Sequence, residues 1–142
     1  MTHMSEHIRV EWVDVDGGGA AHHSMAAIWA EQVEHALLRT LHLAPDRFPR
    51  RRIEVDFHHP LRFGDRFTLD LRIAQVGTTS VVYLWSAHIR GEPCFSGRTI
   101  AVFVDDTGSP QPVPDAIRAK ITPQLPQSVD RSTHLARVDP HM

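Results

Sequence analysis

Residues 10–23 read VEWVDVDGGGAAHH and mark the change from one structural pattern to another. Apolar and polar residues alternate over residues 8–13, which predicts a first β-strand. Asp14 and Asp16 then lead into three consecutive glycines, which lack the side chains of a regular strand and permit positive φ angles. This stretch therefore predicts a strand that ends in a turn, with a new element directly after it.

The new element is predicted to be a helix that begins near Ser24, a residue type suited to the N-cap position. Its apolar residues recur at the spacing of three and four that places side chains on one helical face. They are Ile28, Trp29, Val33, Ala36, Leu37 and Leu41. We expect this apolar stripe to pack on a sheet.

Four further strands are predicted after the helix, at residues 53–59, 67–73, 79–90 and 93–104. Residues 43–52 contain two prolines and three consecutive arginines, which indicates a connection. The short glycine-containing links between the later strands favour antiparallel neighbours. The expected fold is α+β, with a five-stranded antiparallel sheet wrapped around one long central helix.

A short second helix is predicted over residues 115–121, and the proline-rich residues 122–142 suggest a flexible tail. At 142 residues the chain is expected to form one domain, residues 1–121, followed by that tail. The net charge of −2 gives no general attraction to nucleic acid or to an anionic membrane. The beginning of the chain lacks the regions of a signal peptide, which predicts a cytoplasmic location.

Eleven histidines raise the possibility of a metal site, but their spacing argues against one. His58 and His59 are adjacent in a predicted strand, where neighbouring side chains point to opposite faces. The single cysteine, Cys94, lies in a strand with no base beside it in the sequence, so we interpret it as a small packing residue. We therefore expect no metal and no cofactor.

Asp16 is the principal candidate for chemistry. It lies between a strand and a helix, where unpaired amide groups at the helix start can stabilise an oxyanion formed from a carbonyl. Asp16 could attack such a carbonyl or deprotonate a water beside it, and His22 or His23 could transfer a proton. The alternative is that Asp14 and Asp16 only shape the turn.

The motif over residues 10–23 resembles the opening of hotdog-fold acyl-CoA thioesterases, the 4-hydroxybenzoyl-CoA thioesterase superfamily. Its spacing is closest to the Tol-Pal-associated acyl-CoA thioesterase branch, which has a histidine where His23 stands. Residues 57–65, FHHPLRFGD, resemble the family's proline and Gly-Asp segment. Residues 101–105, AVFVD, together with Gly108, resemble its last strand and exit turn.

This resemblance covers residues 8–121 and implies hydrolysis of an acyl- or aryl-CoA thioester, or of an acyl carrier protein thioester. It implies a homodimer or homotetramer with an active site at the subunit interface. By position, Asp16 would be the nucleophile or general base and His23 its polar partner. The backbone amides of His23 and Ser24 would polarise the thioester carbonyl.

Several alternatives stay open. Met25 and Ala26 stand where the family often has Asn and Tyr, so the acyl preference does not transfer. Glu31 falls where many relatives have a helix glutamate, which makes it a rival catalyst or a solvated residue. The run of Arg50, Arg51 and Arg52 could bind the phosphates of coenzyme A or could simply be solvated.

The competing functions are a hotdog dehydratase or hydratase on 3-hydroxyacyl thioesters, and a hotdog protein that binds acyl thioesters without turnover. Dehydratases of that kind usually pair a histidine with a carboxylate in a different motif, which this sequence lacks.

Overall fold

The computed structural model describes residues 2–123 as an α+β fold with one five-stranded antiparallel sheet. In chain order its elements are β1 (His3–Arg9), α1 (Ser24–Thr40), β2 (Arg50–Phe57), β3 (Arg66–Val76), β4 (Ser80–Ile89), β5 (Glu92–Val102) and α2 (Asp115–Ile121). The strands lie in the order β1-β3-β4-β5-β2, so the two strands that flank α1 in the sequence form the two edges of the sheet. The expected tail at residues 122–142 falls almost entirely outside the described residues.

The core lies between α1 and the inner face of the sheet. Helix α1 buries Trp29, Val33 and Leu37, three members of the predicted apolar stripe. On β3 the alternate apolar side chains face this core and are at most 2% exposed. They are Phe67, Leu69, Leu71 and Ile73. The expectation of one long central helix is not confirmed, since the helices are short: α1 has 17 residues and the expected second helix, α2, has seven.

The first strand lies earlier in the chain than predicted. It pairs His3–Arg9 with Arg72–Arg66 of β3, and the chain then makes a short 3-10 turn at Trp12–Asp14. The prediction for residues 8–13 was wrong because the Asp14 carboxylate accepts the Glu11 amide at 2.8 Å and stabilises that turn. As a result Trp12 and Val13 do not pair in the sheet, and their side chains are 72% and 88% exposed to solvent.

The second strand also begins earlier than predicted, at Arg50. The arginine run is part of the sheet and not of the connection, because the strand partners of Arg50 and Arg52 are Ala101 and Ile100 of β5. None of the described helices is long and apolar enough to span a membrane.

Candidate active site

The glycine-rich loop before α1 folds into a closed turn. The amide of His22 donates to the carbonyl of Asp14 (2.8 Å), and the amide of Asp16 donates to the carbonyl of Ala20 (2.9 Å). Gly19 has a φ of 84°, a left-handed conformation that favours glycine. Its amide returns to the carbonyl of Asp16 at 3.0 Å. The loop therefore presents Asp16 at the edge of a turn that leads directly into the helix.

The Asp16 carboxylate is exposed and is held through one oxygen. Its Oδ1 accepts the amide of Gly18 at 2.8 Å. Within residues 2–123 no donor contacts Oδ2 at hydrogen-bonding distance. One oxygen thus fixes the orientation of the carboxylate, and the other keeps its full acceptor capacity for a substrate or a water molecule.

A second turn of the same kind, at Asp105, shows which feature of Asp16 is special. The amide of Asp105 donates to the carbonyl of Ser109, and Gly108, with a φ of 85°, returns its amide to Asp105. There Oδ1 accepts the amide and hydroxyl of Thr107 and the amide of Ser109, at 2.9, 2.7 and 3.0 Å. The hydrogen bond from the Thr107 side chain, with those of the two amides, lowers the pKa of Asp105. The turn shape is shared, and only Asp16 has few donors around it.

A small apolar cleft of about 270 Å³ opens at the first turn of α1, and we call it the α1 cleft. The helix start, the segment after β2 and the beginning of β5 form its walls. Its lining residues are Ala21, His22, His23, Ala26, Trp29, Phe57, His58, His59, Pro60, Leu61, Cys94 and Phe95. The structure thus brings His22 and His23 to the cleft, while Asp16 lies in the adjoining turn and does not line it.

The amides at the start of α1 differ in what they can still bind. The Ser24 amide donates to Nδ1 of His22 at 3.2 Å, and the Met25 amide donates to the carbonyl of His22 at 2.9 Å. Among the described residues, the His23 amide has no acceptor. Of the two amides predicted to polarise a carbonyl, the one on His23 is therefore free to do so in this conformation.

The histidines of the α1 cleft occupy both of its sides. The rings of His22 and His23 lie 4.1 Å apart between centroids, and Nδ1 of His22 is 2.8 Å from the Ser24 hydroxyl. Across the cleft, the amides of His58 and His59 both donate to the carbonyl of Cys94, at 2.8 and 3.0 Å.

His58, His59 and Cys94 were not predicted to belong to the site. The FHHP segment was visible as a motif, but its position opposite the helix start depends on the pairing of β2 with β5. Cys94 is 2% exposed and burial raises the pKa of its thiol, which favours the packing role expected for it. Among the residues that the structure describes, no three metal-binding side chains are grouped to hold an ion.

The rival carboxylate Glu31 lies away from the α1 cleft in an ion-pair network. Its Oε1 accepts Nη2 of Arg50 at 2.9 Å, and Glu34 accepts Nη1 of the same arginine at 2.7 Å. Glu34 is 1% exposed, and this burial raises its pKa although Arg50 acts in the opposite direction. Burial lowers the pKa of Arg50, but the hydrogen bonds and negative charges of Glu34 and Glu31 outweigh this effect, so its pKa is raised. Arg50 is thus already neutralised by two carboxylates.

The other two arginines of the run differ from Arg50. Arg52 pairs with Glu54 at 2.8 Å on the outer face of the sheet. Arg51 is exposed, and no carboxylate of the described residues lies within 4 Å of it.

Residues 18–94, more than half of the chain, match the family model described as the Thioesterase superfamily. A chloroplastic acyl-acyl carrier protein thioesterase of Arabidopsis thaliana is 25% identical over 132 residues, which cover 84% of this chain and 68% of that protein. The family match includes the start of α1 and all residues that line the α1 cleft except Phe95, and it begins two residues after Asp16.

Solved structures are similar over most of the chain. A predicted thioesterase from Bacillus stearothermophilus superposes with a TM-score of 0.76 at 28% identity and covers 84% of this chain and 93% of that one. A 1,4-dihydroxy-2-naphthoyl-CoA thioesterase from Synechocystis has a TM-score of 0.77 at 18% identity, with coverage of 84% and 95%. A Thermus thermophilus thioesterase complexed with coenzyme A and Zn gives 0.77 at 24%, with 83% and 91%. These likenesses identify the fold as the hotdog fold.

Proposed function

The chain belongs to the Thioesterase superfamily and is a thioesterase, and from this premise we propose that Asp16 and the start of α1 form its catalytic site. The proposed substrate is an acyl- or aryl-CoA thioester, or an acyl carrier protein thioester, which is cleaved to the free acid and the thiol. The histidine at position 23 supports the Tol-Pal-associated branch of the superfamily.

The observation that carries this assignment is the α1 cleft at the free end of the helix. The free His23 amide is a donor suited to a carbonyl oxygen, and the adjoining turn holds a carboxylate with one open oxygen. Such a donor stabilises the oxyanion best when it is fixed before the reaction. Trp29 and Phe95 line the cleft and give it an apolar, aromatic wall, which supports a short or aromatic acyl group.

In the proposed reaction the carbonyl oxygen of the thioester accepts a hydrogen bond from the backbone amide of His23. The open oxygen of Asp16 attacks the carbonyl carbon, or removes a proton from a water molecule that attacks it. The tetrahedral oxyanion then collapses, the carbon–sulfur bond breaks, and the thiolate leaves. In the general-base route the thiolate takes up the proton that Asp16 removed from the water, and in the nucleophilic route it takes a proton from the solvent. In the nucleophilic route, water hydrolyses the Asp16 acyl intermediate and restores the carboxylate.

The experiment that tests the site compares Asp16→Asn with Asp105→Asn in a thiol-release assay over short, long and aromatic acyl-CoAs. Asparagine retains the oxygen that accepts the Gly18 amide, so the turn persists while the charge is lost. We expect Asp16→Asn to lower kcat by at least ~10²-fold. Asp105→Asn makes the same chemical change in the same kind of turn and should retain the wild-type kcat.

A near-normal kcat in Asp16→Asn would overturn the assignment and move attention to Glu31, whose Glu31→Gln variant is then the next test. Release of no thiol from any CoA or carrier-protein thioester would contradict the proposed substrate class.

The proposed assembly is a homodimer or homotetramer in which a second copy completes the site. Phe57 supports this arrangement, because it lines the α1 cleft and yet remains 58% exposed in the single chain.

A further inference from the structure

Two further surface hollows adjoin the α1 cleft. The first, which we call the middle groove, has a volume of about 430 Å³ and shares His59, Pro60 and Cys94 with the α1 cleft. The second, which we call the arginine hollow, has a volume of about 900 Å³ and shares Asp65, Ile89 and Arg90 with the middle groove. Shared walls make the three hollows one continuous surface path that leads away from the proposed reaction centre.

Three arginines along this path have no carboxylate within 4 Å among residues 2–123. Arg62 lines the middle groove, Arg66 lines the arginine hollow, and Arg90 lines both. A guanidinium nitrogen of Arg62 lies 3.8 Å from where a Cβ on Gly19 would be, so this arginine also flanks the Asp16 turn. Arginines without a carboxylate partner among the described residues therefore follow the path from the Asp16 turn to its far end, and they outnumber the carboxylates in the arginine hollow.

Arg90 is also held in an unfavourable backbone conformation. It has a φ of 51° and, with Gly91 at 81°, forms the two-residue turn between β4 and β5. Such a turn is served with less strain by asparagine or glycine in the first position. Arg90 is thus an arginine in an unfavourable conformation at the tip of a hairpin, and it lines both hollows, which makes it a candidate for a functional role.

We infer that the thiol carrier is coenzyme A and that Arg62, Arg66 and Arg90 bind the phosphates of its nucleotide part. The inference rests on the proposed function, since it concerns the carrier of the same thioester. Guanidinium groups bind phosphate through paired hydrogen bonds, and three of them suit a ligand with a diphosphate and a further phosphate. The site differs from the Arg50–Arg52 run, in which Arg50 and Arg52 already have carboxylate partners.

The shape and charge of the path favour a nucleotide over the surface of an acidic carrier protein. The arginines line concave hollows, and the arginine hollow has the volume of an ordinary small-molecule site. Asp65 and Glu92 also line the middle groove, and Asp65 lines the arginine hollow as well, so carboxylates separate the arginines. Separate phosphate groups can enter concave hollows and contact such arginines one at a time, whereas the broad face of a folded carrier protein cannot enter them.

The test uses one acyl group on three carriers: coenzyme A, 3′-dephospho-coenzyme A and pantetheine, which carries no phosphate. We expect Arg66→Gln and Arg90→Asn each to raise KM for the acyl-CoA about tenfold, with kcat unchanged. Neither variant should change kcat/KM for the acyl-pantetheine. Arg39→Gln, an exposed arginine near the end of α1, is the matched control and should leave all constants at wild-type values.

Arg90→Asn carries a second readout that a merely structural role would not produce. Asparagine tolerates the positive φ better than arginine, so this variant should raise Tm while it weakens acyl-CoA binding. Stability and affinity are therefore expected to move in opposite directions.

Three results would overturn the inference. They are an unchanged acyl-CoA KM in both variants, a larger effect of Arg51→Gln than of either, and preferred hydrolysis of an acyl carrier protein thioester. If the wild type cleaves none of these thioesters, the proposed function fails by itself. Calorimetric titration with 3′-phosphoadenosine 5′-diphosphate then still tests the arginines, and equal affinity in wild type and Arg90→Asn would contradict their role.

Discussion

At the scale of single residues, the comparison of Asp16 with Asp105 separates a structural aspartate from a chemically available one. Both accept the amide two residues ahead, and both are followed by a glycine with a φ near 85°. The difference lies in the intervening residues, because Thr107 and Ser109 supply extra donors where the first turn has Gly18 and Ala20. Because Gly18 has no side-chain donor, the Asp16 carboxylate keeps one oxygen without a hydrogen bond from residues 2–123.

The Asp105 turn predicts a pH-dependent loss of stability. Its pKa is lowered below the ordinary 3.8, mainly by the Thr107 side chain, so the folded state binds fewer protons than the unfolded chain in acid. The stabilisation is present above that ordinary pKa and is lost as the pH falls through the lowered value. Asp105→Asn should thus lower the urea midpoint at pH 6, and its difference from wild type should shrink towards pH 3. A difference that stays constant with pH would show that the charge is not the cause.

Of the candidate site, the sequence could indicate only the residues that lie near each other in the chain. Asp16 and His23 lie near each other in the chain, so a motif placed both of them beside the helix start. The opposite wall, with His58 and Cys94, depends on the register of β2 against β5, which no local pattern encodes. The same holds for Arg50, whose two carboxylate partners are 16 and 19 residues away.

At the scale of elements, the sequence predicted the inner strands well and the edges poorly. The predicted strands at residues 67–73, 79–90 and 93–104 are β3, β4 and β5, where alternation is strong because one face is buried. In β1 the half-buried positions are Met4, Glu6 and Ile8, so a glutamate interrupts the apolar period. An edge strand that buries little surface needs no clean alternation, and its pattern is correspondingly weak.

Gly97 in β5 is closely approached by β4 and β2, and its substitution should destabilise the sheet. A Cβ at this position would lie 2.3 Å from a ring carbon of Trp85 and 2.5 Å from the carbonyl of Glu54. Trp85 is not free to turn away, because its indole nitrogen donates to the buried hydroxyl of Thr99 at 3.0 Å. We expect Gly97→Ala to lower the free energy of unfolding by about 3 kcal/mol, the upper end for overpacking, in urea denaturation.

The control for this prediction is Gly17→Ala, since no atom lies within 4 Å of a Cβ there. That variant should unfold at or slightly above the wild-type midpoint. Equal stability of Gly97→Ala and Gly17→Ala would mean that Trp85 or β2 can shift at little cost.

At the scale of the whole molecule, the two edges of the sheet are unequal. The exposed positions of β1 are His3, Ser5, His7 and Arg9, which are polar and suit an edge that stays in water. The other edge, β2, exposes Ile53 and Phe57 at 45% and 58%. Ile28 of α1 adds a further 42% exposed apolar side chain. Apolar residues on an unpaired edge strand favour association, and here the same edge carries a wall of the α1 cleft.

From this difference between the edges we predict that a charged side chain on the β2 edge both separates the subunits and lowers activity. Ile53→Lys places a cation in the proposed interface without touching the α1 cleft, which Ile53 does not line. His3→Lys places the same charge on the β1 edge and is the matched control. Light scattering after size exclusion should give an oligomer for wild type and His3→Lys, and a species near the 16.0 kDa of one chain for Ile53→Lys.

Because a second copy is proposed to cover Phe57, kcat should fall with dissociation and recover as Ile53→Lys is concentrated. A wild type that is monomeric and fully active would place the whole site within one chain, and the exposure of Phe57 would then need another explanation.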